Sequence, residues 1–383
     1  MTTPIKRNIL LNPGPSTTTD TVKAAQIVPD ICPREEEFAF LMKNIRDDLV
    51  KIVHGDPETY TAVPFCGSGT ICMDIVLNSL VPDSPDGTPR ALVIHNGAYS
   101  ERACEILDAY HIPYVDWVQS LYKPPNLAEL EHILTKKNDI AVVYATHHET
   151  GSGLLNPIRE IGRIAHEHDA VFITDTTSSY AMIPIDIEKD NIDFCMASAQ
   201  KGIQGMTGLS YIIGRTDLIE KSKQNPTRSY YCNLYLQYEF FEKTGQMHFT
   251  PPVQTIYAAR QALDEYFAEG ESEKWSRHQR IINAIRAGVD RLGFRELLDR
   301  KNQSGLVSAI RYPDDPNWDF DKVHDYCYER GFTIYPGKLE NTGSFRLCAL
   351  GAIDAPDIEN FWEVFEAALK ENRVQIPAKY TEE

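Results

Sequence analysis

Three neighbouring stretches decide the fold: IAVVYAT at 140–146, NPIREIGRIAHEH at 156–168 and VFITD at 171–175. The outer two are apolar without alternation, so each reads as a strand buried on both faces, the habit of a parallel sheet. Between them Pro157 sits near a helix start, and Ile158, Ile161, Ile164 and Ala165 share one helical face. Strand, helix and strand in that order make a βαβ unit.

Working outward, further short apolar runs occur at ALVIH from Ala91, IDFCMA from Ile192 and GLSYIIG from Gly208. Upstream, Phe38, Leu41, Met42, Ile45, Leu49, Ile52 and Val53 recur at helical spacing. After about Thr250 the texture changes to long helical patterns, then short strands at VSAIRY, FTIYPG and SFRLCAL, and a closing helix DIENFWEVFEAALK. This predicts a large α/β domain over 16–265 and a smaller α+β domain over 266–383, with 1–15 as a segment packing on the small domain.

The 383 residues include 55 Asp or Glu against 38 Lys or Arg, a formal charge of -17 that repels nucleic acid and anionic lipid. No segment reaches the ~18 apolar residues of a membrane span. The start, MTTPIKRNILLNPGP, lacks the apolar run of a secretory leader, and the eight cysteines are scattered without a C-x-x-C pair. A cytoplasmic protein with free thiols is expected. His147-His148 and His166-x-His168 have no carboxylate or cysteine spacing to complete a site, so no metal is expected.

Three features of the large domain converge on one anionic, aromatic cofactor. Cys66-Gly67-Ser68-Gly69-Thr70 leaves a strand-like stretch and opens a helical pattern, so freed N–H groups and hydroxyls can cradle a phosphate. Alone it is more often a plain turn. Asp175 ends a strand at the carboxyl edge of the presumed sheet, where ligands of open α/β sheets bind. It is suited to hold a protonated ring nitrogen, or to cap the turn at Thr177 and Ser178. Lys201, in SAQKG, follows a buried strand among small residues, a setting that desolvates an amine and makes it nucleophilic. Pyridoxal phosphate needs all three.

With these motifs the chain resembles the class V, fold-type I aminotransferases, and within them the 2-aminoethylphosphonate:pyruvate branch. The resemblance runs along nearly the whole chain, through LLNPGPSTTTDTVKAA, GSGT, NGAYSERA, HHETGSGLLNPI, DTTSSYAMIPIDI, SAQKGIQGMTG, HFTPPVQTIYAARQAL and IYPGKLENTGSFRLCALG. It implies a mostly parallel seven-stranded sheet flanked by helices, plus the smaller C-terminal domain. It also implies pyridoxal 5'-phosphate as cofactor and amino-group exchange between 2-aminoethylphosphonate and pyruvate, giving phosphonoacetaldehyde and L-alanine.

Carried over by position, Lys201 would bond the cofactor and shuttle the substrate proton, and Asp175 would hold the pyridinium proton. Tyr99 would stack on the ring, Thr177 would pack beneath it, and Thr150 would contact its hydroxyl. Ser68, Gly69, Thr70 and Gln200 would bind the phosphate, with Thr250 reaching it from the other subunit of a homodimer that shares its active sites. Arg346 would pair with the substrate carboxylate. For the phosphonate, Arg34 and Arg228 are candidates on charge alone. The Gln200-Lys201 pairing also occurs in alanine:glyoxylate transaminases, so an alanine:glyoxylate or serine:pyruvate enzyme is an alternative reading. A lyase using the same cofactor and a catalytically silent binding protein are two others.

Overall fold

The computed structural model describes residues 8–337 and 343–381; residues 1–7 of the N-terminal segment and 338–342 of the IYPGKLENTGSFRL motif lie outside them. The large unit is built on seven strands: β1 Tyr60–Cys66, β2 Ala91–His95, β3 Tyr114–Val118, β4 Val142–Thr146, β5 Val171–Asp175, β6 Phe194–Ser198 and β7 Leu209–Arg215. Their order across the sheet is β1-β7-β6-β5-β4-β2-β3. Neighbours pair in parallel except at β7, which runs against both β1 and β6. Every residue of β4 and β6 is buried, as continuous apolar runs require.

Two strands escaped the apolar-run reading, and both are edges. In β1 Pro64 interrupts the pattern, yet a proline is tolerated where only one neighbour pairs, and the Pro64 carbonyl accepts from Gln237 Nε2 at 2.9 Å instead. In β3 the exposed Asp116 and Val118 break the run at the opposite edge.

The helices that matter here are α1 Glu36–Ile52, α2 Gly69–Leu80, α3 Ala98–Ala109, α4 Ile158–Glu167, α5 Val253–Glu269 and α6 Glu271–Arg291. Helix α4 buries the four apolar residues expected of it. Gly162 lets it approach closely, since a Cβ there would lie 2.4 Å from the Asn191 carbonyl oxygen and 2.9 Å from the Phe172 ring.

Two hydrophobic cores are distinct. Val253, Ile256, Leu263 and Tyr266 of α5 belong to the first, whereas Ile281, Ile282, Ile285 and Val289 of α6 belong to the second. The change falls at Gly270, whose φ of 80° turns one helix into the next. The second core also gathers Phe345 and Leu347 from β10 Ser344–Cys348, which lies between β8 Val307–Arg311 and β9 Tyr335–Pro336, and Phe361 and Phe365 from α7 Ala355–Glu371.

The N-terminal segment touches both units. Ile9 and Leu10 pair in parallel with Phe332 and Thr333, and Leu11 is buried in the second core. Ser16 then donates from its backbone N–H to the Gln200 carbonyl at 2.9 Å, beside Lys201.

Candidate active site

Six of the seven strands point the same way, so the carboxyl ends of β1, β2, β4, β5 and β6 open on one edge of the sheet, the expected place for a ligand. At the end of β1 the chain turns through Gly67, with φ of 154°, and Ser68 becomes the N-cap of α2 without spending its side chain on the helix. Ser68 is exposed and Gly69 is packed against Thr177, where an added Cβ would sit 2.9 Å from Thr177 Cγ2. Helix N–H groups and an uncommitted hydroxyl therefore face outward together, which suits a phosphate.

Asp175, the last residue of β5, is 3% exposed, and its Oδ1 accepts from the Thr177 N–H at 2.8 Å. The turn-capping and ligand-facing readings of this aspartate thus coexist. Burial pushes its carboxyl pKa up, opposed by that bond and by the charges of Lys201 and Arg102. Lys201 follows β6, and its Nζ donates to the Pro13 carbonyl. The segment lies so close that a Cβ on Gly14, where φ is 126°, would be 2.6 Å from Lys201 Nζ. Glycine is needed there on both counts.

Tyr99 stands in the first turn of α3, and the Arg102 guanidinium lies over its ring at 5.3 Å. Arg102 also donates to Thr70 Oγ1 at 3.3 Å, joining the ring residue to the cradle. Sequence reasoning missed Arg102, although its placement three residues after Tyr99 on a helix signals the contact. It missed Glu149 as well. This fully buried carboxylate accepts from the N–H and hydroxyl of Ser100 at 3.0 and 2.9 Å, at the N-terminus of α3. Gly97 makes room for it. The helix that carries Tyr99 is fixed by a carboxyl group at its positive end.

Arg346 is the largest fully buried side chain, at 1% exposure. Its guanidinium donates to the Pro336 carbonyl at 3.0 and 3.1 Å and to the Thr150 carbonyl at 3.4 Å, linking the two units. Among the described residues no carboxylate pairs with it. A buried cation held only by carbonyls has capacity for an anion. Nearby, Thr150 Oγ1, Ser198 Oγ and Gln200 Oε1 are buried without a hydrogen-bond partner among the described residues. Such orphaned groups are unusual in a folded interior, and they lie on the residues that line this edge. A phosphate cradle, a buried acid, an amine, an aromatic ring and unsatisfied hydroxyls fit pyridoxal 5'-phosphate.

Other candidates lie elsewhere. Thr250 is exposed, and among the described residues no hydrogen bond ties it to Lys201, Asp175 or the cradle. Arg34 donates to the His248 carbonyl at 3.2 Å, bracing the loop before Thr250. Arg228 donates to the carbonyls of Asn78 and Val81, both at 2.7 Å, closing the C-terminus of α2. Its Nη1 is committed to capping that helix.

His147 and His148 are buried hydrogen-bonding groups. His147 Nδ1 lies 2.9 Å from Ser179 Oγ, and His148 bridges the Ser178 carbonyl and Ser304 Oγ, each at 2.9 Å. Burial pushes their pKa values down to about 3 and about 4. Unfolded histidine protonates near 6.5 whereas the folded rings stay neutral, so the unfolded state binds more protons and stability falls as pH drops below about 6.5. The raised carboxyls of Asp175 and Glu149 act with the opposite sign. His147→Asn and His148→Asn should each flatten the loss of Tm between neutral pH and about pH 5, by the equivalent of about 2 kcal/mol per histidine. Thermal melts over that range check this, and slopes identical to wild type would refute it.

Comparisons with known proteins bear on the family and the fold. The family model for Aminotransferase class-V matches residues 23–333. The chain is 34% identical over 360 residues to a 2-aminoethylphosphonate–pyruvate transaminase of Lysinibacillus sphaericus, covering 93% of this chain and 96% of that one. It is also 34% identical to a bifunctional phosphonoacetaldehyde hydrolase/aminoethylphosphonate transaminase of Clostridioides difficile, over 94% of this chain and 56% of that relative's length. The crystal structure of ureidoglycine-glyoxylate aminotransferase from Bacillus subtilis superposes with a TM-score of 0.87 at 19% identity, covering 98% of this chain and 96% of that one, which bears on the fold alone. With a sheet edge built to this plan and a family match spanning most of its length, the chain belongs to the class V aminotransferases.

Proposed function

We propose that this chain is a pyridoxal-phosphate-dependent transaminase exchanging an amino group between 2-aminoethylphosphonate and pyruvate, and that it works as a cytoplasmic homodimer. When bound, the cofactor supplies an aldehyde that takes up the amino group and a ring that accepts electron density. The chain supplies the rest. Lys201 Nζ would take the proton from the substrate carbon bearing the amino group and give it up on the cofactor side in one half-reaction, with the reverse in the other, and Asp175 would hold a proton on the ring nitrogen. Ser68, Gly69, Thr70 and Gln200 hold the phosphate, Tyr99 and Thr177 bracket the ring, and Thr150 approaches its hydroxyl.

The observation that carries the reading is the buried, carbonyl-held Arg346, whose free anion capacity matches the carboxylate of pyruvate or alanine. The relatives' names carry the choice of amino donor. A dimer is supported by surface chemistry around Thr250. Tyr231 stacks on Phe249 at 4.4 Å, and Tyr230 and Tyr231 are 67% and 44% exposed, an aromatic face suited to burial against a second copy. Eight free cysteines suit a reducing compartment.

A spectral titration of cofactor-loaded protein tests the assignment: 2-aminoethylphosphonate should discharge the cofactor absorbance faster than serine does, and pyruvate should restore it. Serine and glyoxylate as the best pair would favour the alanine:glyoxylate type instead. Arg346→Ala should raise the KM for pyruvate and alanine by about 100-fold, the worth of a charge-assisted bidentate contact, while the half-reaction with 2-aminoethylphosphonate, which has no carboxylate, changes less. Equal losses for both would refute the carboxylate role.

A further inference from the structure

At the β2–β3 edge of the sheet, three side chains converge that the amino-transfer chemistry does not use. His95 ends β2, Asp116 lies in the edge strand β3, and Cys104 faces them from α3. His95 Nδ1 is 2.9 Å from Asp116 Oδ1, Cys104 Sγ is 3.7 Å from the same oxygen, and all three ligand atoms fall within 4.8 Å of one another. Asp108, one turn past Cys104 on α3, adds a carboxylate on the same helix face.

We propose that His95, Cys104 and Asp116 form a binding site for a divalent transition-metal ion of the zinc type, with its remaining position open to water. Nitrogen, sulfur and oxygen donors together are a zinc set, and metal–ligand lengths of about 2.0–2.3 Å place tetrahedral ligands roughly 3.3–3.8 Å apart. Two strands and a packed helix hold the three groups near that spacing already. The only adjustments are a slight opening of the His95–Asp116 pair and a closing of Cys104 toward His95. His95 is partly exposed and Asp116 is exposed, so an ion has an entry path, and the protein's charge of -17 concentrates cations at its surface. The sequence hid this site because its donors are spread over two strands and a helix with no short spacing.

The location gives the site a role. His95 immediately precedes Asn96 and Gly97, whose turn launches α3 and sets Tyr99. Asn96 Nδ2 donates to Asn156 Oδ1 at 2.8 Å, and Gly97 is pressed against Glu149. A metal on His95 and Cys104 clamps both ends of that turn, the strand end and the helix after it.

The test is a titration of reduced, cofactor-loaded protein with Co²⁺ in the absence of oxygen. One equivalent per chain should bind with a near-ultraviolet thiolate-to-cobalt band, Zn²⁺ should displace it, and Tm should rise with metal concentration. Cys104→Ser should abolish the band, and His95→Ala and Asp116→Asn should each weaken binding more than about 10-fold. Cys32→Ser, which removes the exposed thiol, should change nothing. Absence of the band in wild type, or its survival in Cys104→Ser, overturns the proposal. If Cys104→Ser fails to fold, the partly exposed His95→Ala decides, since unchanged affinity there overturns it equally.

Discussion

Lys201→Ala should reduce amino transfer by at least about 10⁴-fold while leaving a folded protein. General acid–base catalysis by one positioned group is worth about 10²–10⁴, and here one amine is assigned both the proton transfer and the bond to the cofactor, in both half-reactions. Lys201 is only partly buried and hydrogen-bonds through Nζ to the Pro13 carbonyl, a bond whose loss on truncation costs about 1 kcal/mol of stability. Circular dichroism and Tm should therefore stay near wild type. Borohydride reduction followed by peptide mass spectrometry should find the cofactor attached to the peptide containing Lys201 in wild type and unattached in the variant. Small added amines should restore part of the proton transfer, since the variant leaves a space against Gly14 where Nζ had been. Turnover within tenfold of wild type would remove Lys201 from the chemistry.

The βαβ unit at 140–175 was legible because two unalternated runs flank a helix with one clean apolar face, and burial of β4, β5 and α4 follows that pattern. The edges were not, since Pro64 and Asp116 are tolerated only where a strand lacks a second neighbour, a fact of topology that a local window does not contain. The same contrast holds at the site. Asp175 and the Gly67–Thr70 turn could be placed from strand ends and glycines, because each depends on local backbone. Arg346 could be named only through the resemblance, for its value rests on a contact between β10 and the Thr150 loop. Arg102 and Glu149 went unnamed, and His148 was weighed only as a metal ligand, because their partners Thr70, Ser100 and Ser304 come from other elements. The acidic composition does not describe the cleft edge, where Lys201, Arg102, Arg346 and the start of α2 bring positive charge beside Asp175 and Glu149 within a chain of charge -17.

Asp175→Asn should move stability and activity in opposite directions. Asparagine keeps the size of the side chain and an oxygen to accept from the Thr177 N–H, so the turn after β5 is retained. What disappears is a buried negative charge. Because burial raises the Asp175 pKa above its unfolded value, keeping the carboxylate ionised costs the cofactor-free protein stability, a cost that is full above the raised pKa and is lost as pH falls through it toward the unfolded value. The variant escapes it, so the cofactor-free form should melt at the same or higher temperature than wild type near pH 7, and the difference should narrow in acid. Activity should fall by about 10²–10⁴-fold, because a neutral amide no longer holds the ring-nitrogen proton and the electron sink weakens. A purely structural aspartate predicts the reverse pairing, lower Tm with catalysis intact in the molecules that fold. Parallel melts of cofactor-free protein and half-reaction rates with 2-aminoethylphosphonate separate the two, and a variant both less stable and fully active would assign Asp175 to the turn alone.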